Sequence, residues 1–228
     1  NQDSDTNMSY NQQPIIVTDE IALSVDAGDH KSYPGSGSTW VERVGPANGT
    51  IYGASFSKAN GGILDFDGTD DYVSFGNVTY TQYIYTDNFS LEAWLNADSY
   101  TGFHHVIGKT YGNYRLAVNS SGYSFRLDSN QLTTSSGTPI AGVWQHVVAT
   151  WEPSTSTAKV YVDGVLEQTK TDTNVNWTST TSNFQIANSP GESYYLNGKV
   201  AVGRAYSKTL SLEEVKQNYN ALKGRFNK

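Results

Sequence analysis

Short runs of alternating apolar and polar residues recur along most of the chain. Three segments, 89–96, 114–118 and 123–127, alternate with a period of two and are predicted to form strands with one face toward water. Segments 144–151 and 159–163 carry the strongest strand pattern and are predicted to lie centrally in a sheet. Short strands separated by turns at intervals of about 8–12 residues are typical of a β-sandwich or barrel.

Further strands are predicted on both sides of this central region. Residues 15–17 and 21–25 are predicted to form the first strand. Segments 62–66 and 71–75 flank Asp67-Gly68, and this dipeptide predicts that they pair as a hairpin. Asp163-Gly164 predicts a second tight turn. The later predicted strands are 184–187 and 198–206.

One helix is predicted, near the end of the chain. Ser211 and Glu214 have the spacing of a capping box, in which each side chain binds a free backbone N–H of the other residue. Leu210 and Val215 are placed to form a hydrophobic staple, and Gly224 is placed to end the helix. The predicted apolar face comprises Val215, Tyr219 and Leu222. This helix is expected to cover an edge or a gap of the sheets.

Composition and charge narrow the class of protein. The chain contains no cysteine, which removes disulfides and thiolate metal sites. A formal net charge of −7 repels polyphosphate, so nucleic acid and an anionic membrane are not expected as partners. No run of about 18 apolar residues is present, and no membrane insertion is expected. The polar residues 1–13 are predicted to be a flexible arm or linker, followed by one domain over 14–228.

Several sequence blocks carry a family resemblance. They are Phe66-Asp67-Gly68-Thr69-Asp70-Asp71-Tyr72-Val73, Phe89-Ser90-Leu91-Glu92-Ala93-Trp94, residues 144–151, Tyr161-Val162-Asp163-Gly164, and the closing segments 196–200 and 204–211. In this order they resemble the laminin-G-like domains of the concanavalin A-like lectin/glucanase superfamily. The resemblance implies an all-β fold of two antiparallel sheets in a jelly-roll sandwich, with one short C-terminal helix.

The flanking segments suggest a setting for such a domain. Residues 16–19, 23–28, 32–40 and 217–226 resemble laminin-G-like proteins of tailed bacteriophages. That resemblance implies a non-enzymatic, extracellular protein of the virion surface, such as a capsid decoration, head fibre or tail-associated module. Its partners would be capsid or fibre subunits, with several copies on each particle. The alternative is an adhesin that binds host polysaccharide, and a glycoside hydrolase is a remote third possibility.

A hydrolase of this superfamily would need paired carboxylates. Its retaining glucanases carry a Glu-x-Asp-x-x-Glu pattern on one strand, and this chain has none. Glu92 stands alone between Leu91 and Ala93. No catalytic residue is therefore predicted. His104 and His105 would point to opposite faces of a strand, and His146 is expected to be structural.

A calcium site and two aromatic loops remain as candidate binding features. Asp67, Asp70 and Asp71 place carboxylates in one tight turn, where calcium is possible as the only cofactor. The alternative, which is favoured, is that these residues hydrogen-bond their own turn. The candidates for glycan or partner binding are Tyr80, Tyr83, Tyr85, Tyr194, Tyr195 and Trp177. Packing of these rings at the ends of the core is an equally valid interpretation. Packing roles are expected for Trp40, Trp94, Trp144 and Trp151.

Overall fold

The computed structural model describes residues 15–110, 112–128, 132–136, 139–171, 175–178 and 181–228. Within these ranges the strands form two eight-stranded antiparallel sheets that enclose one core, so the predicted all-β sandwich is confirmed. The predicted arm, 1–13, lies outside the described residues. Among the helices of the described ranges, none has the length and apolar character needed to cross a bilayer.

The two sheets differ in strand order. Sheet A contains, in order, β14 (Val165–Thr171), β13 (Thr157–Val162), β12 (Gln145–Glu152), β7 (Phe89–Ala97), β16 (Asn197–Tyr206), β5 (Ile63–Asp67) and β4 (Ser55–Ser57), and β1 (Ile21–Asp26) also pairs with β16. Sheet B contains β11 (Leu132–Ser136), β10 (Gly122–Leu127), β9 (Tyr114–Asn119), β8 (His104–Gly108), β15 (Gln185–Ile186), β6 (Tyr72–Ser74), β3 (Gly49–Tyr52) and β2 (Thr39–Trp40).

The core lies between the two sheets and follows the alternation in the sequence. From β7, Leu91 and Leu95 point inward, and from sheet B, Leu116 and Phe125 meet them in the same cluster of buried side chains. Burial of such side chains contributes about 1.5–3 kcal/mol each. The four tryptophans assigned to packing are all buried, as predicted: Trp40, Trp94, Trp144 and Trp151.

The prediction of one wet face is wrong for the central strands. Every residue of β7 is buried, and nearly every residue of β9 and β10. Residues near the C-terminus cover the outer face of β7, where Trp94 stacks with Tyr219 and with Phe226. On sheet B, Arg115 of β9 lies beneath Phe103 and Tyr194. Polar outward positions in these strands therefore reflect buried polar contacts, not exposure to water.

The predicted hairpin around Asp67-Gly68 is also wrong. β5 pairs within sheet A, whereas β6 pairs within sheet B, so the connection crosses the end of the sandwich. Two hydrogen bonds shape this crossing: Thr69 N donates to Asp67 Oδ1 over 2.7 Å, and Asp67 N donates to Asp71 Oδ2 over 3.0 Å. Phe66 and Val73 thereby enter the core from opposite sheets. We call residues 67–71 the aspartate turn.

The second predicted turn is confirmed. Asp163 and Gly164 have φ values of 49° and 79° and join β13 to β14 as an antiparallel hairpin. The first strand is shorter than predicted, because it begins at Ile21 and residues 15–17 belong to no strand. Val17 instead packs beside Val215, and its N–H donates to Asn218 Oδ1 over 2.7 Å.

The helix, α1 (Leu212–Leu222), has the predicted capping box. Glu214 N donates to Ser211 Oγ over 3.2 Å, and Ser211 N donates to Glu214 Oε2 over 2.9 Å. Leu210 and Val215 share one buried cluster, as the staple requires. Gly224 does not end the helix, since a 3-10 turn runs through it from Lys223 to Phe226. α1 covers the outer face of sheet A over β7, and not an edge or a gap of the sheets as expected.

Candidate functional site

Two tryptophans fix the loop between β6 and β7. Trp177 Nε1 donates to Tyr83 O, and Trp151 Nε1 donates to Tyr85 O, each over 2.9 Å. Tyr85 N donates in return to Trp177 O over 3.1 Å. We call residues 79–88 the tyrosine loop. Since its backbone is held by buried indole groups, the loop can present its side chains in one fixed arrangement.

Tyr83 and Trp177 are core residues, so the prediction that they bind a glycan or partner through exposed rings is wrong. Tyr83 is 5% exposed and stacks on Phe89 with ring centroids 4.8 Å apart. Burial raises the pKa of its phenol well above the ordinary value. Trp177 is 3% exposed and meets Phe89 edge to face. These side chains position the tyrosine loop and cannot offer their faces to a ligand.

Tyr80 and Tyr85 are half-buried. The Tyr80 hydroxyl donates to Ala47 O over 3.5 Å, and burial raises the pKa of Tyr80, as does the Glu42 carboxylate. Tyr85 packs against the edge of Trp177, with ring centroids 6.4 Å apart. Both rings therefore combine packing with partial access to solvent.

An open cleft of about 360 Å³ lies against the tyrosine loop. Its lining includes Thr79, Tyr80, Gln82, Thr86, Asn88 and Ser207, together with Tyr83 and Asp87. Asn88 and Ser207 also line an adjoining hollow of about 230 Å³, which extends to Glu152 and Lys208. We call the two together the end cleft. The combined space is of the size that small ligands occupy in proteins.

The end cleft is polar and mildly acidic. Lys208 forms ion pairs with Glu214 at 2.7 Å and Asp19 at 3.0 Å, and hydrogen bonds to these carboxylates raise its pKa. Asp87 Oδ2 accepts a hydrogen bond from Ile84 N. The Tyr83 hydroxyl lies 3.4 Å from Ser207 Oγ. Hydroxyl, amide and carboxylate groups beside an aromatic edge can hydrogen-bond the hydroxyl groups of a sugar.

Tyr194 and Tyr195 lie elsewhere, on the outer face of sheet B. Tyr194 packs on Phe103 with ring centroids 5.0 Å apart, and the Arg115 guanidinium lies over both rings. The carbonyl of Tyr195 accepts a hydrogen bond from His104 Nδ1 over 2.7 Å. Within the described residues, neither tyrosine lines the end cleft. The tyrosine loop and the pair Tyr194 and Tyr195 therefore lie at two separate places on the protein.

A tyrosine pair on the same sheet escaped the sequence prediction. Tyr52 of β3 and Tyr72 of β6 are cross-strand partners whose rings stack 4.5 Å apart, at an angle of 16°. Tyr52 is 45% exposed. Burial raises the pKa of Tyr72, as do Tyr52 and Tyr195. The sequence could have indicated this pair, because each tyrosine is next to a residue that points into the core, Ile51 or Val73, and must therefore point outward.

Glu92, the lone carboxylate of the sequence, is fully buried beneath α1. Its carboxylate accepts hydrogen bonds from Arg204 at 2.6 Å, Asn218 at 2.8 Å, Tyr206 at 3.0 Å and His146 at 3.1 Å. Burial opposes ionisation, but Arg204 and the other donors outweigh it and lower the pKa of Glu92 to about 2. The group is an ionised structural anchor, enclosed away from any cleft.

His146 has the predicted structural role. His146 is buried against Glu92 and the ring of Trp94. His105 is buried too, and burial together with Arg115 lowers its pKa to about 3. His104 is half-buried and bonds to the backbone carbonyls of Tyr195 and Thr101.

The aspartate turn brings three carboxylates together. One oxygen each of Asp67, Asp70 and Asp71 lies within 4.8 Å of the others. Burial raises the pKa of Asp71, as do the neighbouring carboxylates, which include Asp65. Side chain-to-backbone hydrogen bonds within the turn are present at Asp67 and at Asp71. The three carboxylates fit a hard divalent cation in ligand type, and they supply part of the set of about six to eight oxygens that calcium takes.

The structure defines a class: a two-sheet jelly-roll sandwich with a polar, ligand-sized cleft at one end. Residues 67–216 match the family Laminin_G_3 of the concanavalin A-like lectin/glucanases superfamily, and the chain belongs to that family. A search of curated proteins finds no sequence relative.

Solved structures share the fold at low sequence identity. The binding domain of Paraclostridial Mosquitocidal Protein 1 superposes with a TM-score of 0.69 at 10% identity, over 89% of this chain and 52% of that one. The binding domain of botulinum neurotoxin serotype G gives 0.67 at 12% identity, over 87% and 50%. A Trypanosoma rangeli sialidase gives 0.68 at 14% identity, over 95% and 37%. This chain spans only about a third to a half of these proteins.

Proposed function

We propose that this protein is a non-enzymatic carbohydrate-binding module and that its ligand occupies the end cleft. The observation that carries the proposal is the pinned tyrosine loop, with hydroxyl and amide groups of Gln82, Thr86, Asn88 and Ser207 lining an open hollow. A preformed polar cleft lowers the ordering cost of binding a flexible, hydroxyl-rich ligand.

The comparisons support binding as the class of function. Two of the similar structures are named as binding domains of toxins, and a third is a sialidase. The chain lacks the Glu-x-Asp-x-x-Glu pattern of the retaining glucanases. Glu92 lies in the block Phe89–Trp94 that resembles the family, and it forms an ion pair with Arg204 inside the protein. A hydrolytic role has no comparable support.

The test uses two exposed groups of the end cleft. A Gln82→Ala/Thr86→Ala double variant removes hydrogen-bonding groups, each worth about 0.5–1.5 kcal/mol, so affinity should fall by about tenfold. The matched control is Gln168→Ala/Thr169→Ala on the exposed strand β14. Binding to a panel of bacterial and host polysaccharides would be measured before and after substitution. Absence of binding across the panel, or equal binding by both double variants, contradicts the proposal.

The proposal also places this module on the surface of a virion, in several copies, among capsid or fibre subunits. This part rests on the resemblance of the flanking segments. Val165 and Leu166, 56% and 42% exposed on the edge strand β14, support attachment to a neighbouring subunit. Deletion of residues 1–13 tests the arm as the anchor, since it should release the protein from particles. Continued attachment would discard that role for the arm.

Calcium binding in the aspartate turn completes the proposal. Asp67, Asp70 and Asp71 would hold the ion, which would relieve their mutual repulsion. The ion would stiffen the crossing between β5 and β6.

A further inference from the structure

A second pocket, distant in sequence from the tyrosine loop, has no part in the function proposed above. It has a volume of about 440 Å³ and lies between residues 27–35 and residues 56–61. One wall belongs to the segment that follows β1. The other belongs to β4 and to the 3-10 turn that follows it, Ala59–Gly61. We call it the glycine pocket. In the described residues it shares no lining residue with the end cleft.

The floor of the glycine pocket is aromatic. Tyr33 and Phe56 meet edge to face with ring centroids 5.2 Å apart. Tyr33 is buried, and its hydroxyl donates to Gly37 O over 2.8 Å, which fixes the ring. Phe56 is half-buried and lines the pocket. A flat ring presented in this way can pack against the C–H face of a pyranose.

Three glycines line the pocket: Gly28, Gly35 and Gly61. A Cβ atom at Gly35 would lie 3.1 Å from the Phe56 ring, and one at Gly28 would lie 2.6 Å from the Arg225 guanidinium. Gly61 has a φ of 75°, which favours glycine. The absence of a side chain at Gly28 and Gly35 therefore makes room for the Arg225 and Phe56 side chains beside the pocket. Arg225 braces this backbone from behind by donating to Asn60 O and to Gly62 O.

The lining of the pocket carries a positive charge at Lys58, although the protein as a whole is acidic. Lys58 and His30 are exposed on its lining. The two nearby carboxylates are already engaged: Asp26 pairs with Arg225 at 2.7 Å, and Asp29 pairs with Arg43 at 3.1 Å. Among the described residues, Lys58 has no carboxylate within ion-pairing distance. An uncompensated ammonium group beside an aromatic floor favours a ligand that is both flat and anionic.

We propose that the glycine pocket binds a hexuronate residue of an acidic polysaccharide, with its ring against Phe56 and its carboxylate beside Lys58. The inference rests on the proposed function as a carbohydrate-binding module, but it concerns a separate site and names the substrate class. The volume accommodates one such residue.

The experiment titrates the protein with uronate trimers: trigalacturonate, trimannuronate and triguluronate. Binding is followed by calorimetry and by the amide resonances of Gly28, Gly35 and Gly61. At least one trimer should bind and shift these amides. Its methyl ester, which has the same rings without the charge, should bind at least about tenfold more weakly, because a charge-assisted hydrogen bond is lost.

Substitutions then locate the site. Lys58→Gln should weaken binding by about tenfold, whereas Lys216→Gln, at an exposed lysine of α1 outside the pocket, should leave it unchanged. Phe56→Leu keeps an apolar side chain of similar position and should weaken binding by removing the flat ring. Circular dichroism and the melting temperature of each variant establish that it is folded.

The outcomes separate this inference from the function proposed above. Binding of no trimer, or equal affinity of wild type and Lys58→Gln, overturns the hexuronate site. If the trimers bind but the Gln82→Ala/Thr86→Ala variant alone loses them, the acidic sugar belongs in the end cleft, and only the glycine-pocket inference fails. If neutral glycans bind the end cleft while no uronate binds, the proposed function stands and this inference is wrong.

Discussion

Substitution of Glu92 by Gln tests the buried anchor between sheet A and α1. The change keeps the shape of the side chain but removes its charge. One carboxylate oxygen becomes an NH2 group that cannot accept a hydrogen bond, so the four donors Arg204, Tyr206, His146 and Asn218 share a single acceptor oxygen. The buried Arg204 guanidinium also loses its counter-ion. Such a loss should destabilise the fold, because a buried charge without a partner is costly.

The magnitude follows from the shifted pKa. Lowering the pKa of Glu92 from 4.5 to about 2 corresponds to about 3 kcal/mol of folding free energy. Because the folded pKa is below the unfolded value, this stability is fully present above about pH 4.5 and is lost as the pH falls toward 2. Glu92→Gln should therefore lower the free energy of unfolding by about 3 kcal/mol near pH 7, and the difference from wild type should shrink in acid.

Urea denaturation followed by tryptophan fluorescence measures the free energy of unfolding of each variant near pH 7 and in acid. Trp94 lies beside His146 in the same layer and reports on it. Glu167→Gln, on the exposed strand β14, is the matched control and should leave the unfolding curve unchanged. A loss below about 1 kcal/mol near pH 7, or a loss equally large near pH 2.5, would refute the reasoning.

Three other perturbations have definite expected outcomes. Burial lowers the pKa of Lys109 to about 8, so between about pH 8 and 9.5 the unfolded chain holds a proton that the folded protein has released. The free energy of unfolding should therefore rise with pH in this range. Lys109→Met should abolish that rise in urea titrations, and an identical pH profile for the variant would contradict the expectation. Ser211→Ala removes the helix cap and should cost about 1 kcal/mol by urea denaturation, whereas an unchanged midpoint would show that the cap contributes nothing. Calcium should raise the melting temperature relative to chelator, and Asp70→Asn should remove that difference; equal melting temperatures of the wild type in both solutions would exclude the ion.

Local patterns predicted the elements of the fold well. The capping box of Ser211 and Glu214 and the Asp163-Gly164 turn are each determined by a few neighbouring residues, and both formed as predicted. Alternation also placed β7, β9 and β10 correctly. These features depend on interactions within a single element or between adjacent ones.

Features that depend on distant partners were missed. Asp67-Gly68 favours a turn, but it does not determine whether the following strand returns to the same sheet. Glu92 was recognised as isolated in sequence, whereas its partners Arg204 and Asn218 lie more than 100 residues away. Tyr83 was placed on a loop correctly, yet its burial depends on packing against Phe89 and a hydrogen bond to Trp177.

The position of β16 has a consequence for how the protein forms during synthesis. β16 lies between β7 and β5 in sheet A, although it is the last strand in the chain. Until residues 197–206 leave the ribosome, β7 and β5 each have an open edge, β1 has no partner strand, and sheet A is divided into three parts. Open edges recruit other strands, so a nascent chain at this stage is exposed to mispairing. Premature termination before Asn197 would leave these parts of sheet A unjoined, and such products should aggregate.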